Sequence, residues 1–450
     1  MRKLTAIAAF MTLVLLPIAV VSSPAAAVPP RAVFNTPRPY AGNAANFTIV
    51  NRVERAIKAM PRHRRGKPRP VITIATYLLD RTSTVTQLVK ACRRGVAVRV
   101  IIDEGIQNRN SRRLISTLNG DNVRDRNRDG KPDRRPKRRP CNRPLHKKDG
   151  SSHRTDSAEQ DDGMMSREQV SRSVNRRLKA SVTWGRDSSY VKRCRPSCRS
   201  GRGNMHTKMF LFSRGRTVMV SSSNLNRGGA KLGWNDMYVM RKRPKSYGAY
   251  VRQHRAMTAG RPAPRTRIQI VDGPYTTRFF PIRNAGIRKD PVMSDLRKVR
   301  CRSAFGPTRL HISMFFWKGR RGNYITTKLL NLARRGCRVN IIYGAPSRQM
   351  AERLRNAARV NLIRLYDSRW DRNEDGFVEV RTHSKYVAVR GNYAGDRKNW
   401  IVMTGSPNWV AGSLSKGDES TLNIRLRSAY KAYLRNWEKV RRHSRKVPFN

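Results

Sequence analysis

Residues 382–409 read THSKYVAVRGNYAGDRKNWIVMTGSPNW, and their pattern is the strongest indicator of the fold. Its two apolar runs, separated by a polar turn, predict a pair of antiparallel strands. His383 and Lys385 lie two residues apart at the open end of this hairpin, so their side chains share one face of a strand. Asn408 follows the second strand in a turn of small residues. A neutral imidazole can attack phosphorus or transfer a proton, and lysine and asparagine can hold phosphoryl oxygens, so we interpret this end as half of a phosphoryl-transfer site.

The same arrangement occurs earlier in the chain, where residues 205–224 read MHTKMFLFSRGRTVMVSSSN. His206 and Lys208 precede the first apolar run, and Asn224 follows the second. The order His-x-Lys, strand, turn, strand, Ser-x-Asn is improbable as a chance duplication. We therefore interpret the two stretches as an internal repeat.

Both stretches resemble the paired His-x-Lys motifs of the phospholipase D superfamily. That family also has an Asp five residues after the Lys, which mainly supports the fold, and a Gly-Ser-x-Asn turn. Here Ser213 and Arg390 stand at the two Asp positions, and Ser221 replaces the first Gly. In the family an acidic residue about a dozen positions after the Asn orients the histidine, and Asp236 and Glu419 fall there.

The resemblance implies phosphodiester cleavage through a covalent phosphohistidine, with no metal or other cofactor required. We expect His206 to be the nucleophile, and His383 to protonate the leaving oxygen and then to activate water. The acidic residues would fix the tautomers of the two rings. The predicted catalytic residues are His206, Lys208, Asn224, Asp236, His383, Lys385, Asn408 and Glu419, and Ser222 and Ser406 are predicted to bind the substrate.

A β-α-β unit ahead of each motif predicts the fold class. Apolar periodicity predicts a strand at 71–77, a helix at 85–94 that ends at Gly95, and a strand at 96–102. The same succession occurs between residues 310 and 343. Duplicated units of this kind predict an α/β protein with two pseudo-symmetric lobes, each a mixed β-sheet flanked by helices, and an active site at the lobe interface.

The expected segments follow from the repeat and from shifts in composition. Arg2 and Lys3 precede an apolar run and a small-residue cleavage site, which is typical of a secretory signal peptide; an uncleaved membrane anchor is the alternative. The segments are a signal peptide at 1–27, a first lobe at 28–258 with a basic insertion at 131–202, a linker at 259–267 and a second lobe at 268–450.

The six cysteines of a chain expected to be exported predict disulfide bonds. Two of them share a tight loop just before the first motif, where a zinc site is the alternative. Two others precede neighbouring parallel strands, whose starts lie side by side. The expected pairs are Cys194–Cys198, Cys301–Cys337 and, for the remaining two, Cys92–Cys141.

An alternation of oxygen-bearing side chains closed by Gly occurs once in each half, as at the start of a calcium loop. The usual Glu at the twelfth position is missing from both copies, and Asp133 and Glu379 could complete the ligand shell instead. A solvated turn is the alternative interpretation. The candidate calcium ligands are Asp125, Asn127, Asp129, Asp371, Asn373 and Asp375.

The chain has 96 Lys and Arg residues against 29 Asp and Glu, a formal net charge of +67, which favours binding to nucleic acid, anionic lipid surfaces or other polyanions. We predict a secreted, extracellular, monomeric phosphodiesterase that hydrolyses phospholipid head groups. A secreted nuclease of the same superfamily and a catalytically inactive polyanion-binding protein are the alternatives. Lipid hydrolysis predicts apolar residues at the pocket mouth, for which Trp317, Trp370 and Trp409 are candidates, although each could instead pack in the core.

Overall fold

A computed structural model describes residues 31–103, 108–119, 189–194, 196–371 and 373–448. Several sequence predictions fall outside these residues: the signal peptide, the first acidic loop with Asp125, Asn127 and Asp129, most of the basic insertion, and Cys141. Within the described residues, no helix has both the length and the apolarity that crossing a membrane requires.

The first half of the described chain builds a sheet of seven strands in the order β1-β8-β6-β5-β2-β3-β4. Its central strands β2 and β3 are mostly apolar and are buried on both faces, because both faces are covered. The strands of this half are β1 (Ala32–Phe34), β2 (Val71–Thr76), β3 (Ala97–Asp103), β4 (Tyr190–Cys194), β5 (Met209–Phe212), β6 (Thr217–Ser221), β7 (Gly233–Trp234) and β8 (Asp236–Met240).

The second half builds a larger sheet, in which the described strands follow the order β21-β16-β15-β14-β18-β19-β20-β10-β9. The strands of this half are β9 (Ile268–Asp272), β10 (Tyr275–Phe280), β11 (Val299–Arg300), β12 (Arg302–Ser303), β13 (Gly306–Pro307), β14 (Arg309–Trp317), β15 (Arg338–Pro346), β16 (Arg364–Asp367), β17 (Arg381–Thr382), β18 (Lys385–Tyr393), β19 (Asp396–Gly405), β20 (Glu419–Ile424) and β21 (Arg445–Val447).

Six strands of each sheet correspond in order and direction. The run β8-β6-β5-β2-β3-β4 matches the run β20-β19-β18-β14-β15-β16, with the last two contacts of each run parallel and the others antiparallel. The predicted α/β class with mixed sheets flanked by helices is therefore confirmed. Both predicted β-α-β units are present, with parallel strands β2 and β3 in one and β14 and β15 in the other.

Helices cover the outer faces of both sheets and also lie between the sheets. Gly95 and Gly336 follow matching helices with positive φ values of 84° and 87°, which glycine adopts without strain. The described helices are α1 (Asn43–Asn46), α2 (Thr48–Lys58), α3 (Thr82–Arg93), α4 (Arg109–Asn119), α5 (Arg227–Leu232), α6 (Pro244–Thr258), α7 (Pro291–Arg297), α8 (Gly319–Arg334), α9 (Arg348–Arg359), α10 (Ala411–Ser415) and α11 (Arg427–Arg442).

The apolar side chains form one outer core in each half and one core shared by both. Helices α2, α3 and α4 pack on the first sheet, and α8 and α9 pack on the second. The shared core joins Leu211 and Val220 of the first sheet to Ala388 and Val402 of the second, together with residues of α6 and α11. The two sheets are therefore bound to each other through apolar burial, which positions their facing ends.

Two predicted disulfide bonds are present. Cys194 pairs with Cys198, and Cys301 pairs with Cys337 at the starts of β14 and β15. Cys92 is also disulfide-bonded.

Candidate active site

The two His-x-Lys segments lie at the boundary between the halves, and each is held by backbone of the opposite half. Met205 forms a bridge with Asp418, and the amide of His206 donates to the Asp418 carbonyl at 3.0 Å. In the same way β17 pairs with β7, and the amide of His383 donates to the Trp234 carbonyl at 2.9 Å. Each histidine is therefore placed by a strand that lies far from it in sequence.

Both imidazoles also use Nδ1 to contact a side chain of the opposite half. Nδ1 of His206 lies 3.0 Å from both carboxylate oxygens of Glu419. Nδ1 of His383 lies 2.9 Å from Oδ1 of Asn235. An ionised carboxylate and an amide oxygen only accept hydrogen bonds, so Nδ1 carries the proton in each neutral ring and Nε2 presents its lone pair. Each ring thus has a nitrogen ready for nucleophilic attack or proton transfer.

Asp236 does not contact either histidine, and the expectation that it fixes a tautomer is corrected. Successive side chains of a strand point to opposite sides, so Asn235 faces His383 while Asp236 points away. The Asp236 carboxylate accepts hydrogen bonds from Thr404 Oγ1 at 2.5 Å and from the Tyr433 hydroxyl at 3.0 Å. Asp236 therefore joins the two sheets, and Asn235 takes the place that the sequence reserved for an acid.

Lys208 and Lys385 are buried beside these histidines, with 0% and 4% of their surface exposed. Each Nζ donates to the backbone carbonyl of the histidine two residues before it. Burial lowers the pKa of Lys208 to about 7, although the charges of Glu419 and Asp103 oppose that shift. Burial, followed by the charge of Lys208, also lowers the pKa of Lys385 well below its ordinary value. An anion held between the two amines would favour their charged forms.

The electrostatics place both histidines and both lysines in one site. Burial lowers the pKa of His206, and the charge and hydrogen bond of Glu419 only partly oppose this. Burial lowers the pKa of His383 further below its ordinary value, because the charges of Lys385, Lys208 and His206 act in the same direction. These effects fall off with distance, so the four groups lie close to one another.

Two adjacent acids at the start of β20 differ in their ionisation. Burial alone would raise the pKa of Glu419, but the charge and hydrogen bond of His206 and the charge of Lys208 lower it to about 2. Glu419 is therefore an ionised partner for its histidine. Burial raises the pKa of Asp418 to about 7, even though its carboxylate accepts a hydrogen bond of 2.6 Å from the Cys198 amide.

The predicted phosphate-binding asparagines have matching environments. Oδ1 of Asn224 and Oδ1 of Asn408 are both buried and have no hydrogen-bond partner among the described residues. Each of these amides therefore has an acceptor that the described protein leaves unsatisfied.

Ser222 and Ser406, which were expected to bind substrate, are fully buried. Both hydroxyls contact backbone, and that of Ser406 also forms a hydrogen bond with the side chain of Glu419. Ser222 Oγ accepts a hydrogen bond from the Asp236 amide at 2.9 Å, and Ser406 Oγ accepts one from the Ser420 amide at 3.1 Å. The two hydroxyls therefore hold β8 and β20 in place, because a small-residue turn beside a strand brings its side chains against the strand's backbone.

The structure adds an aromatic pair that the motifs did not reveal. The Tyr77 ring lies 5.2 Å from that of His206, and Lys208 Nζ lies 5.4 Å from its centre. The Phe315 ring lies 4.8 Å from that of His383, and Lys385 Nζ lies 5.0 Å from its centre. Aligning the two duplicated strands, β2 and β14, would have identified this pair. The rings form matching walls of the two half-pockets.

The second acidic loop lies just ahead of His383. The ligand atoms of Asp371, Asp375 and Glu379 lie within 4.8 Å of one another. Asn373, also a predicted ligand, donates Nδ2 to Asp375 Oδ2 at 2.7 Å. Carboxylate oxygens in this number and spacing are compatible with a hard cation such as calcium.

The tryptophans predicted for a lipid-binding mouth are mostly core residues. Trp317 and Trp409 are 0% and 2% exposed, and their ring centres lie 4.5 Å apart. Trp370 is half-buried with its ring centre 6.0 Å from that of Tyr40. In the acidic loop, however, Phe377 is 77% exposed.

A known protein family matches most of this chain. The chain matches the family described as "Cardiolipin synthase, PLD-like domain" at residues 67–255 and 303–441, which together exceed half of its length. Each matched segment contains one His-x-Lys motif. Curated proteins give no match.

The solved structures that are similar to the chain share little sequence identity with it. Phosphatidylserine synthase from Haemophilus influenzae is 12% identical, with a TM-score of 0.54 over 93% of this chain and 88% of that one. At this identity the similarity shows a shared fold and nothing more. Polyphosphate kinase from Porphyromonas gingivalis is 12% identical, with a TM-score of 0.47 over 91% of this chain. The match covers 50% of that kinase, so this chain spans about half its length. Nuc from Salmonella typhimurium, a phospholipase D family member, is 18% identical, with a TM-score of 0.25 over 35% of this chain and 88% of that one.

Proposed function

We propose that this chain, which belongs to the family of PLD-like domains, is a phosphodiesterase. Its reaction proceeds through a phosphohistidine intermediate. The observation that carries the proposal is the exchange of partners between the halves: Glu419 holds His206, and Asn235 holds His383. Two imidazoles, two lysines and two asparagines then surround one pocket. Such a pocket provides a nucleophile, a proton donor and cations for a phosphoryl group.

The different partners of the two histidines favour His206 as the nucleophile. Attack by Nε2 on phosphorus breaks the bond to the leaving oxygen and leaves positive charge on a ring whose Nδ1–H faces a carboxylate. Glu419 stabilises that charge, whereas the neutral amide of Asn235 stabilises an imidazolium less. His383 is therefore the better proton donor to the leaving oxygen, and it then accepts a proton from the water that attacks the phosphohistidine.

The substrate charge completes the ionisation of the site. A phosphodiester anion between Lys208 and Lys385 raises the pKa of both amines, because it offsets their mutual repulsion and their burial. The same anion favours the protonated form of His383, which the two lysines disfavour in the free site. Substrate binding therefore favours protonated Lys208, Lys385 and His383, which is the protonation state that the first step needs.

The substrate that we propose is the head group of a phospholipid, cleaved outside the cell. The description of the matched family refers to a cardiolipin synthase, which makes a phospholipid. The exposed ring of Phe377, six residues before His383, offers an apolar contact to a lipid surface. Two disulfide bonds support an oxidising, extracellular location.

Nucleic acid is a second candidate substrate, favoured by the net charge of +67. A chain of this charge binds nucleic acid without sequence preference, and its affinity falls steeply with salt. The charge alone does not lead to cleavage, so nuclease activity is a separate proposal with a separate readout.

One side-by-side assay separates these functions. Purified protein is incubated with phosphatidylcholine vesicles and with single-stranded DNA, each with and without a calcium chelator. Choline release without DNA cleavage supports the lipid substrate, and the reverse supports nuclease action. His206→Ala and His383→Ala should each lower the productive rate by roughly a thousandfold or more. His63→Ala, a histidine outside the site, is the matched control. An unchanged rate in both site variants would overturn the two-histidine mechanism.

A further inference from the structure

A cavity of about 590 Å³ opens at the edge of the second sheet opposite the candidate active site. It lies where β14, β15 and β16 begin, whereas Lys385 contacts β14 at Met314. Met314 is five residues beyond the start of β14 at Arg309, or roughly 16 Å along the strand. The cavity is therefore separate from the pocket that holds the two histidines.

Strand register collects polar side chains on one face of this cavity. Arg309 is paired with Arg338, and His311 is paired with Asn340, on the adjacent parallel strands β14 and β15. Asn340 is in turn paired with Arg364 on β16. Residues two apart on a strand share a face, so three neighbouring strands present guanidinium, imidazole and amide groups to the same space. All five of these residues line the cavity.

The positive charge of this surface is not neutralised by the described protein groups. Arg309, Arg338 and Arg364 form no ion pair with a described carboxylate. Glu438, which also lines the cavity, pairs with Arg441 of the same lining at 2.7 Å. Like charges on adjacent strands are destabilising. An anion bound here would remove that repulsion.

The floor of the cavity contains a buried polar group that is not satisfied by the protein. His311 is 8% exposed, and its Nδ1 has no hydrogen-bond partner among the described residues. A buried polar atom without a partner costs free energy. The alternate positions on the same strands, such as Ile312 and Ile341, pack in the apolar core, so the polar side chains occur only on the face that the cavity uses.

We propose that this cavity binds a small anion that carries several phosphate groups. Neighbouring strands lie about 4.8 Å apart, so arginines on three of them can each contact a different phosphate group of one ligand. Planar guanidinium groups suit phosphate oxygens because they donate two parallel hydrogen bonds. The Tyr366 ring, which also lines the cavity, could contact a base attached to the phosphate chain.

Calorimetric titration with sodium tripolyphosphate and with ATP tests this proposal. The variant Arg309→Gln/Arg338→Gln/Arg364→Gln removes the three charges of the cavity. The control Arg64→Gln/Arg288→Gln/Arg397→Gln removes three exposed charges elsewhere and so keeps the net charge equal. The cavity variant should lose affinity by roughly a hundredfold or more, because each charge-assisted hydrogen bond contributes about tenfold or more. The control should stay within about twofold.

Further measurements separate this site from the active site and from misfolding. The cavity variant should keep the phosphodiester cleavage rate of the unmodified protein, and Lys208→Met should keep the tripolyphosphate affinity of the cavity. Tripolyphosphate should raise the melting temperature of the unmodified protein, and this rise should disappear in the cavity variant and shrink in Arg338→Gln alone.

Tighter binding of ATP than of tripolyphosphate would support a nucleotide as ligand, and equal binding would support a ligand recognised by its phosphate chain alone. Equal loss of affinity in the cavity variant and the control would overturn the proposal, because net charge alone would then explain the binding. Absence of saturable binding to the unmodified protein would overturn it as well.

Discussion

The partners of the two histidines differ although the rest of the two half-sites correspond. His206 faces a carboxylate, and His383 faces an amide oxygen. A carboxylate stabilises an imidazolium, and an amide does so less, so the two rings have different proton affinities even before a substrate binds. One side chain, Asn235, thereby distinguishes two otherwise similar halves.

Asn235→Asp should therefore change the pH dependence of catalysis. A carboxylate beside Nδ1 raises the pKa of His383, which in the free protein lies well below its ordinary value. The acid form would persist to higher pH, so the alkaline limb of kcat/KM should move up by roughly one pH unit. Asn284→Asp adds the same charge at an exposed turn and should leave the profile in place. A profile that moves equally in both variants contradicts the role of Asn235.

Burial of the charged Lys208 amine lowers the stability of the folded protein. The pKa of its buried amine falls from the ordinary value of 10.5 to about 7, chiefly because of burial. Between these two values the unfolded state binds more protons than the folded state, so stability rises with pH in that interval. The cost of burying the charged amine is present in full below the folded pKa and is lost above the unfolded one.

Lys208→Met should accordingly stabilise the fold while abolishing activity. We expect a gain of roughly 2–4 kcal/mol at about pH 6, which shrinks as the pH rises toward the ordinary lysine pKa. Chemical denaturation across this pH range measures the gain. Lys289→Met, at an exposed position, should give no pH-dependent change. A loss of stability at low pH would show that the contact of Nζ with the His206 carbonyl outweighs the cost of burial.

At the scale of elements, the Cys194–Cys198 loop supports one half of the site. The amide of Cys198 donates to the Asp418 carboxylate, and the Asp418 backbone in turn pairs with His206. The Cys301–Cys337 bond lies instead at the starts of β14 and β15, away from both histidines. The two bonds therefore differ in what they position.

Removing these bonds should separate activity from stability. The bonded cysteines are 4 and 36 residues apart in sequence. By restricting the unfolded chain, the two bonds stabilise the fold by about 2 and about 4 kcal/mol, respectively. Cys194→Ser/Cys198→Ser should lower kcat by roughly tenfold or more, because His206 loses its support, with a smaller loss of stability. Cys301→Ser/Cys337→Ser should lower the melting temperature more and leave the kcat of the folded protein near that of the parent. Equal effects on kcat would contradict the positioning role of the loop.

The acidic loop ahead of His383 is proposed as a calcium site because Asp371, Asp375 and Glu379 place their oxygens together. Calcium should raise the melting temperature, and Asp371→Asn/Asp375→Asn should remove that rise. Asp396→Asn, at an exposed turn of the same half, is the control. Activity should survive a chelator if the site is structural only. A melting temperature that is insensitive to calcium identifies the loop as a solvated turn.

At the scale of the whole molecule, the halves share a core and a buried hydrogen-bond junction. Asp236 of the first sheet accepts hydrogen bonds from Thr404 of the second sheet and from Tyr433 of α11. The apolar cluster around them contains residues of both sheets. Neither half can separate without exposing this surface, and the described residues from 31 to 448 belong to one compact unit.

Thermal unfolding should consequently occur in a single transition. Asp236→Ala should lower the free energy of unfolding by roughly 2–5 kcal/mol, because two buried hydroxyls lose their acceptor. The melting temperature should fall accordingly, and unfolding should remain a single transition. Scanning calorimetry with comparison of calorimetric and van't Hoff enthalpies measures this. Two resolved transitions, in the parent or in the variant, would contradict the shared core.

Sequence patterns alone predicted the class of fold, which the structure confirms, and they supplied the hypothesis for the chemistry of the site. Apolar periodicity located the strands around His206 and His383, and the duplicated His-x-Lys order predicted two corresponding halves. Two disulfide bonds also followed from spacing and from the order of the strands. These inferences succeed because periodicity, turn chemistry and motif spacing are local properties of the chain.

Which side chains meet depends on contacts between segments that are distant in sequence. His206 and Glu419 are 213 residues apart, and His383 and Asn235 are 148 apart, so no local pattern could choose Asn235 over Asp236. The burial of Ser222 and Ser406 and the arginine-lined cavity likewise depend on strand register and on the packing of separate strands. Register sets which face of a strand a residue occupies, and burial sets the pKa of each group, and both arise only when distant segments come together.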